Sequence, residues 1–104
     1  MQHGRIAIYH IKPEHNLDDV SRRAEAGMLP IFRGYPGFVG YGLVKVDDGR
    51  RLVSLSFWET EEEAEKAVPL AAEFVRSRLA EYIHLEENHV GDLTFYSAAE
   101  RLGV

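Results

Sequence analysis

The stretch Arg5-Ile-Ala-Ile-Tyr-His-Ile-Lys12, closed by Pro13, limits the fold more than any other part of the chain. Its β-branched and aromatic residues predict a strand. Ile6, Ile8 and His10 share one face while Ala7, Tyr9 and Ile11 share the other, so both faces carry apolar groups. Such a strand belongs in the middle of a sheet covered on both sides. The chain has 104 residues, and a domain of this size buries roughly two-thirds of the surface its unfolded form exposes. That is enough for one layer of helices on one sheet face. The second cover has to come from another chain.

The remaining elements follow from periodicity and turn chemistry. Leu17, Val20, Ala24, Met28 and Ile31 recur at three- and four-residue steps, which predicts an amphipathic helix capped by Asn16 and bent or restarted at Pro30. Gly34-Tyr35-Pro36-Gly37 breaks the chain before a second strand, Phe38 to Val46, whose Gly40 and Gly42 point to a bulge, a bend or a close approach. Asp47-Asp48-Gly49-Arg50 reads as a hairpin turn. In the third strand, Leu52 to Trp58, Val53, Leu55 and Phe57 alternate with Leu52, Ser54, Ser56 and Trp58. Thr60-Glu61-Glu62-Glu63 matches a capping box. The helix it opens has a stripe of Ala64, Ala67, Ala71, Phe74, Val75, Arg78 and Tyr82, a kink at Pro69 and an expected end at Glu86-Glu87-Asn88-His89. Asp92 to Ser97 is the expected fourth strand, before a short tail. The order β-α-β-β-α-β predicts one α+β domain over residues 1–104, with its core at about 5–97. It is the ferredoxin-like arrangement, a four-stranded antiparallel sheet with both helices on one face.

Composition removes several function classes. No cysteine is present, so a disulfide scaffold, a thiolate metal site and a cysteine nucleophile are all excluded. A net charge of −5 argues against nucleic acid as a partner. No apolar run reaches the roughly 18 residues of a membrane span, and Met1-Gln2-His3-Gly4-Arg5 leads into a strand instead of a signal-peptide core, so the expected compartment is the cytoplasm. Phosphate-binding loops of the Gly-x-Gly-x-x-Gly or P-loop type do not occur. His84, Glu86, Glu87 and His89 offer metal-ligand chemistry, yet on a helix His84 and His89 would stand about 140° apart and would not converge. No metal or other cofactor is expected.

Three motifs in order, Lys12-Pro13 after strand one, Tyr35-Pro36-Gly37-Phe38-Val39-Gly40-Tyr41, and Leu55-Ser56-Phe57-Trp58-Glu59-Thr60, resemble the antibiotic biosynthesis monooxygenase family of dimeric α+β barrels. The likeness spans about residues 5–97. It implies a homodimer in which two helix-free sheet faces pack together, which fits the apolar residues assigned to that face: Tyr9, Ile11, Val53, Leu55 and Phe57. It also implies a cofactor-independent monooxygenase acting on a small aromatic or quinol-like compound in a cleft between sheet and helices. The haem-degrading branch of this superfamily places an Asn on strand one and a His in the following helix. Here those positions read Ile6 and Ala67-Val68-Pro69-Leu70, which disfavours haem chemistry.

With Trp58 turned toward the cleft as in the family, Ser54 and Ser56 share its face, and the family register adds Ile6, Ile8 and His10 from strand one. The expected site is therefore His10 and Trp58 as catalytic residues, with Ser54, Ser56, Met28, Phe32 and Phe74 contacting substrate beside Val75. His10 would act as base, and Ser54, Ser56 or a tyrosine would donate to the developing oxyanion. Alternation alone leaves Tyr9, Tyr41 and Tyr96 open between the dimer-facing side and the pocket, Tyr9 going to the former under the family register, and Arg33 is either a guard at the pocket mouth or a solvated helix-end residue. A cleft of roughly a few hundred Å³ beside His10 and Trp58 would accompany catalysis. Solid packing there would accompany the alternative, a non-catalytic dimer that binds small molecules or only scaffolds.

Overall fold

A computed structural model of the chain describes residues 2–97. The short tail expected after Ser97 lies outside the described residues. Strand β1 spans His3–Ile11, helix α1 Leu17–Arg33, β2 Phe38–Val46, β3 Arg51–Trp58, helix α2 Glu61–Phe74 and β4 Ile83–Asp92. The strands form one antiparallel sheet in the order β2-β3-β1-β4. This is the β-α-β-β-α-β architecture anticipated from the chain.

Local chemistry starts the helices where expected. The Asn16 side chain accepts from the Asp18 amide at 2.7 Å, which satisfies one of the free donors at the start of α1. The Thr60 hydroxyl accepts from the Glu63 amide at 3.2 Å and donates to the Glu63 carboxylate at 2.9 Å. Pro30 is accommodated inside a continuous α1, whose buried stripe ends on Phe32 while Ile31 stays exposed. The β2–β3 turn carries three successive left-handed residues, Asp47, Asp48 and Gly49. Between Phe38 and Gly40 the register with β3 shifts, so the glycine-marked bulge is present.

The C-terminal part of the chain departs from expectation. Helix α2 stops at Phe74, a π-helical turn occupies Val75–Leu79, and the strand begins at Ile83 instead of Asp92. The π turn moves the buried position from Phe74 to Leu79 and leaves Arg78 exposed, which ends the helical stripe. His84 through His89, read as a helix end, are instead strand residues paired with β1. A polar edge strand explains the misreading. Its pattern lacks hydrophobic alternation because charged side chains protect an open sheet edge from further pairing, and hydrogen bonding to β1 outweighs its low intrinsic preference.

The core lies between the helices and one face of the sheet. Ala7, Tyr9 and Ile11 from β1 meet Val20, Met28 and Phe32 from α1 and Ala64, Ala67, Ala71 and Phe74 from α2. Tyr9 and Ile11, expected on the helix-free face, are therefore buried under the helices. The opposite face is lined by Ile6, Ile8 and Val44 with Val53, Leu55 and Phe57, and it is only partly covered: Ile6 is 41% and Val44 46% exposed.

Candidate functional site

Strand register decides which polar groups reach the interior. Arg5, Ala7 and Tyr9 of β1 stand opposite Ser56, Ser54 and Leu52 of β3, so all six point to the same sheet face, under the helices. From β2, Tyr41 and Leu43 join them, paired with Ser56 and Ser54. Trp58, Ser54 and Ser56 thus share the covered face as expected. His10 does not. It is exposed, it pairs with Arg51 and His84, and it lies with Ile6 and Ile8 on the helix-free face. The placement of His10 beside Trp58 is corrected by one residue of register. Strand β1 is apolar on both faces, so its alternation left the parity open, and a slip of one turns every side chain over. The overlooked signal is Arg5, whose parity is that of the core.

Between β1–β3 and the two helices lies a cavity of about 20 Å³. Its polar lining is Arg5, Tyr9, Tyr41 and Ser54, and its apolar walls include Met28, Phe32, Phe74 and Val75. Four of the residues expected to contact substrate, Ser54, Met28, Phe32 and Phe74, do line it. Neither His10 nor Trp58 does. Arg5 is only 3% exposed, and its Nε donates to Asn88 Oδ1 at 2.8 Å. The Tyr41 phenol is pushed up to about 12, chiefly by burial and slightly by the neighbouring Tyr9, against lowering by a hydrogen bond with Ser54 and by the Arg5 charge. It is thus a neutral donor at physiological pH.

Trp58, 1% exposed, is fixed rather than free. Its indole N–H donates to Ser56 Oγ at 3.0 Å, and its ring packs edge-on against Phe32 at 5.2 Å and Phe38 at 5.5 Å between centroids. Ser56 is therefore the indole's acceptor. On its far side Trp58 walls a second hollow of about 240 Å³ with Tyr35, Pro36, Glu63, Lys66 and Leu70. Phe32 lines the first cavity and Trp58 the second, so the ring pair stands between them. The turn beside this hollow is held by Gly37, whose φ of +79° and whose carbonyl, accepting from the Glu59 amide at 2.8 Å, join it to the end of β3. The Glu63 carboxylate sits where a Gly37 side chain would be.

The remaining sequence candidates separate. Tyr9 and Tyr41 are interior, whereas the Tyr96 ring lies 6.0 Å from Phe57 on the helix-free side. Arg33 is an exposed residue in the last turn of α1. His89 Nε2 and Glu87 Oε1 are 3.0 Å apart across a strand alternation, but among the described residues no group of three or more His, Asp or Glu could hold a metal. No helix among them is long and apolar enough to cross a membrane.

Comparison with known proteins places this geometry. No curated protein sequence matches the chain. Among solved structures, SnoaB, a cofactor-independent oxygenase from Streptomyces nogalater, is similar over 99% of this chain and 98% of its own, with a TM-score of 0.66 and 15% identity. A dimeric ferredoxin-like protein from an uncultured marine organism matches with a TM-score of 0.70 at 12% identity, covering 95% of this chain and all of its own (100%). Rv0793 from Mycobacterium tuberculosis matches at 0.64 and 19%, covering 96% and 100%. The family profile described as antibiotic biosynthesis monooxygenase matches residues 3–69. On that match, over more than half of its length, the chain belongs to the antibiotic biosynthesis monooxygenase family.

Proposed function

We propose that the protein is a homodimeric, cofactor-independent monooxygenase that oxidises a small aromatic or quinol-like compound between sheet and helices, in the cavity of about 20 Å³ once the entering substrate has enlarged it. The observation that carries this reading is the convergence of Arg5, Tyr41 and Ser54 on one largely apolar cavity in a chain of this family. In such a reaction the deprotonated substrate supplies the electrons. An anthrone-type ring methylene and O2 give a ring carbonyl and water, and a hydroquinone and O2 give a hydroxyquinone and water, so in each case one oxygen atom is retained and no external reductant is needed. The protein's task is to stabilise the substrate anion and exclude bulk water. No carboxylate or imidazole lines the cavity, so the Arg5 charge and the Tyr41 hydroxyl take that task. Trp58 backs Phe32 and keeps the wall in place.

Oxygen uptake with a panel of hydroquinones and anthrone-like phenols tests this. Uptake should occur with wild type, fall by about tenfold or more in Tyr41→Phe, and stay unchanged in His10→Ala. A wild type inert to the whole panel sinks the reading.

The dimer is proposed to form through the helix-free sheet face, where Ile6, Val44, Leu55 and Phe57 need a cover. A second reading, a non-catalytic dimer, is favoured by the cavity volume of about 20 Å³, room for little more than one water. The same oxygen-uptake panel separates the two.

A further inference from the structure

We propose that Arg5 makes the interior cavity an anion site, so that its ligand is an aromatic acid, a carboxylate or an acidic phenol, and not a neutral ring. This rests on the cavity being the binding site. Arginine keeps its charge in a protein interior, and a buried charge costs several kcal/mol unless it is paired. Arg5 is almost wholly buried, yet among the described residues no carboxylate forms an ion pair with it. Its one side-chain hydrogen bond runs from Nε to the neutral Asn88 and supplies no counter-charge. The other polar groups lining the cavity are neutral: Tyr9, Tyr41 and Ser54. A ligand carboxylate or phenolate is the missing counter-charge, and a guanidinium fork suits it geometrically.

Beside the cavity lies a groove with two further arginines, of which Arg23 is already paired with Asp19 at 3.0 Å. Phe74 lines both the cavity and an outer groove of about 210 Å³ whose other walls are Arg23, Ala26, Gly27 and Arg78. The Phe74 ring fills the space a side chain at Gly27 would take, so it is the partition between the cavity and the groove. Behind it the π turn Val75–Leu79 interrupts the regular hydrogen bonding of α2, and Val75 and Leu79 also line the cavity. Displacement of Phe74 and the flexible Met28 would enlarge the cavity toward the groove.

The test uses benzoate and benzamide, which match in shape and differ in charge, titrated against isotopically labelled protein while the Arg5 Nε–H and Trp58 indole N–H resonances are followed. Benzoate should bind wild type at least about tenfold more tightly than benzamide, the size expected of a charge-assisted hydrogen bond, and should shift the Arg5 resonance. Arg5→Met should fold with unchanged or raised melting temperature, keep its benzamide affinity and lose the preference for benzoate. Arg5→Lys should retain part of it. Equal affinities in wild type, binding of neither compound, or a preference that survives in Arg5→Met would overturn the proposal, the last assigning the anion to Arg23 or Arg78. Acid preference without oxygen uptake leaves the anion site standing and removes the oxygenase. Uptake of neutral phenols without acid preference does the reverse.

Discussion

The two faces of the sheet are finished in different ways. On the covered face, Ala7, Tyr9, Ile11 and Trp58 are closed off within one chain by α1 and α2, and two polar groups there are held by named partners: Trp58 by Ser56 and Arg5 by Asn88. On the bare face, Ile6, Val44, Leu55 and Phe57 lie among His10, His84, Glu87 and His89, partly exposed. The covered face is a folding core with a charged residue inside it. The bare face is apolar surface of the kind that a second molecule covers. Burial of a guanidinium on the first face, with only the neutral Asn88 bonded to it, is an expense that packing alone would not require, and it is the ground on which that face is proposed as the site of chemistry.

The sharpest contrast comes from removing a large side chain from the core. Trp58→Ala should cost about 3 to 5 kcal/mol in urea unfolding, because Phe32 and Phe38 lose their shared partner and a cavity remains. A loss under about 1 kcal/mol would mean that the covered face is not the folding core. On the bare face, Leu55→Glu should leave the circular dichroism spectrum intact while weakening self-association by about a hundredfold or more, since an unpaired charge would enter the interface. Light scattering should then report the 11.8 kDa chain mass where wild type reports twice that. A wild type already monomeric would break the comparison.

Alkaline unfolding probes Tyr41. Its folded-state value is raised above that of the unfolded chain, so the stabilisation is complete below about pH 10 and is lost as pH rises toward about 12. The loss should be on the order of 2 kcal/mol across that window, and Tyr41→Phe should remove it. Smallest of all, Thr60→Ala lies outside both faces and should cost about 1 kcal/mol through the lost cap of α2, setting the scale for a purely local effect.

Much of this architecture was legible in the chain. Asn16 and Thr60 cap helices because their side-chain oxygens accept from nearby amides, a property of a few consecutive residues. The alternation of Leu52, Ser54, Ser56 and Trp58 against Val53, Leu55 and Phe57 assigned both faces of β3 correctly. Strand β1 resisted because it is apolar on both sides. Placing Arg5 outside and Ile6 inside is what hydropathy suggests, and the register with β3 reverses it. Strand β4 resisted because Glu86, Glu87, Asn88 and His89 carry the polarity of an edge, which a linear reading takes for a helix end. Ser54, Met28, Phe32 and Phe74, which line the cavity, come from elements with one clear apolar face.

By itself, the sequence determined the order of elements, the helix starts, the faces of β3, the absence of any cysteine chemistry and the presence of more apolar strand surface than two helices can cover. Those are local or additive properties, set by neighbours within a turn or by totals. Tertiary structure alone decided that Arg5 and not His10 enters the cavity, that Trp58 is held by Ser56, and that the last strand starts at Ile83. The reason is pairing at long range. Register joins residues some forty to ninety positions apart, and no run of consecutive side chains carries that information when both faces of a strand look alike.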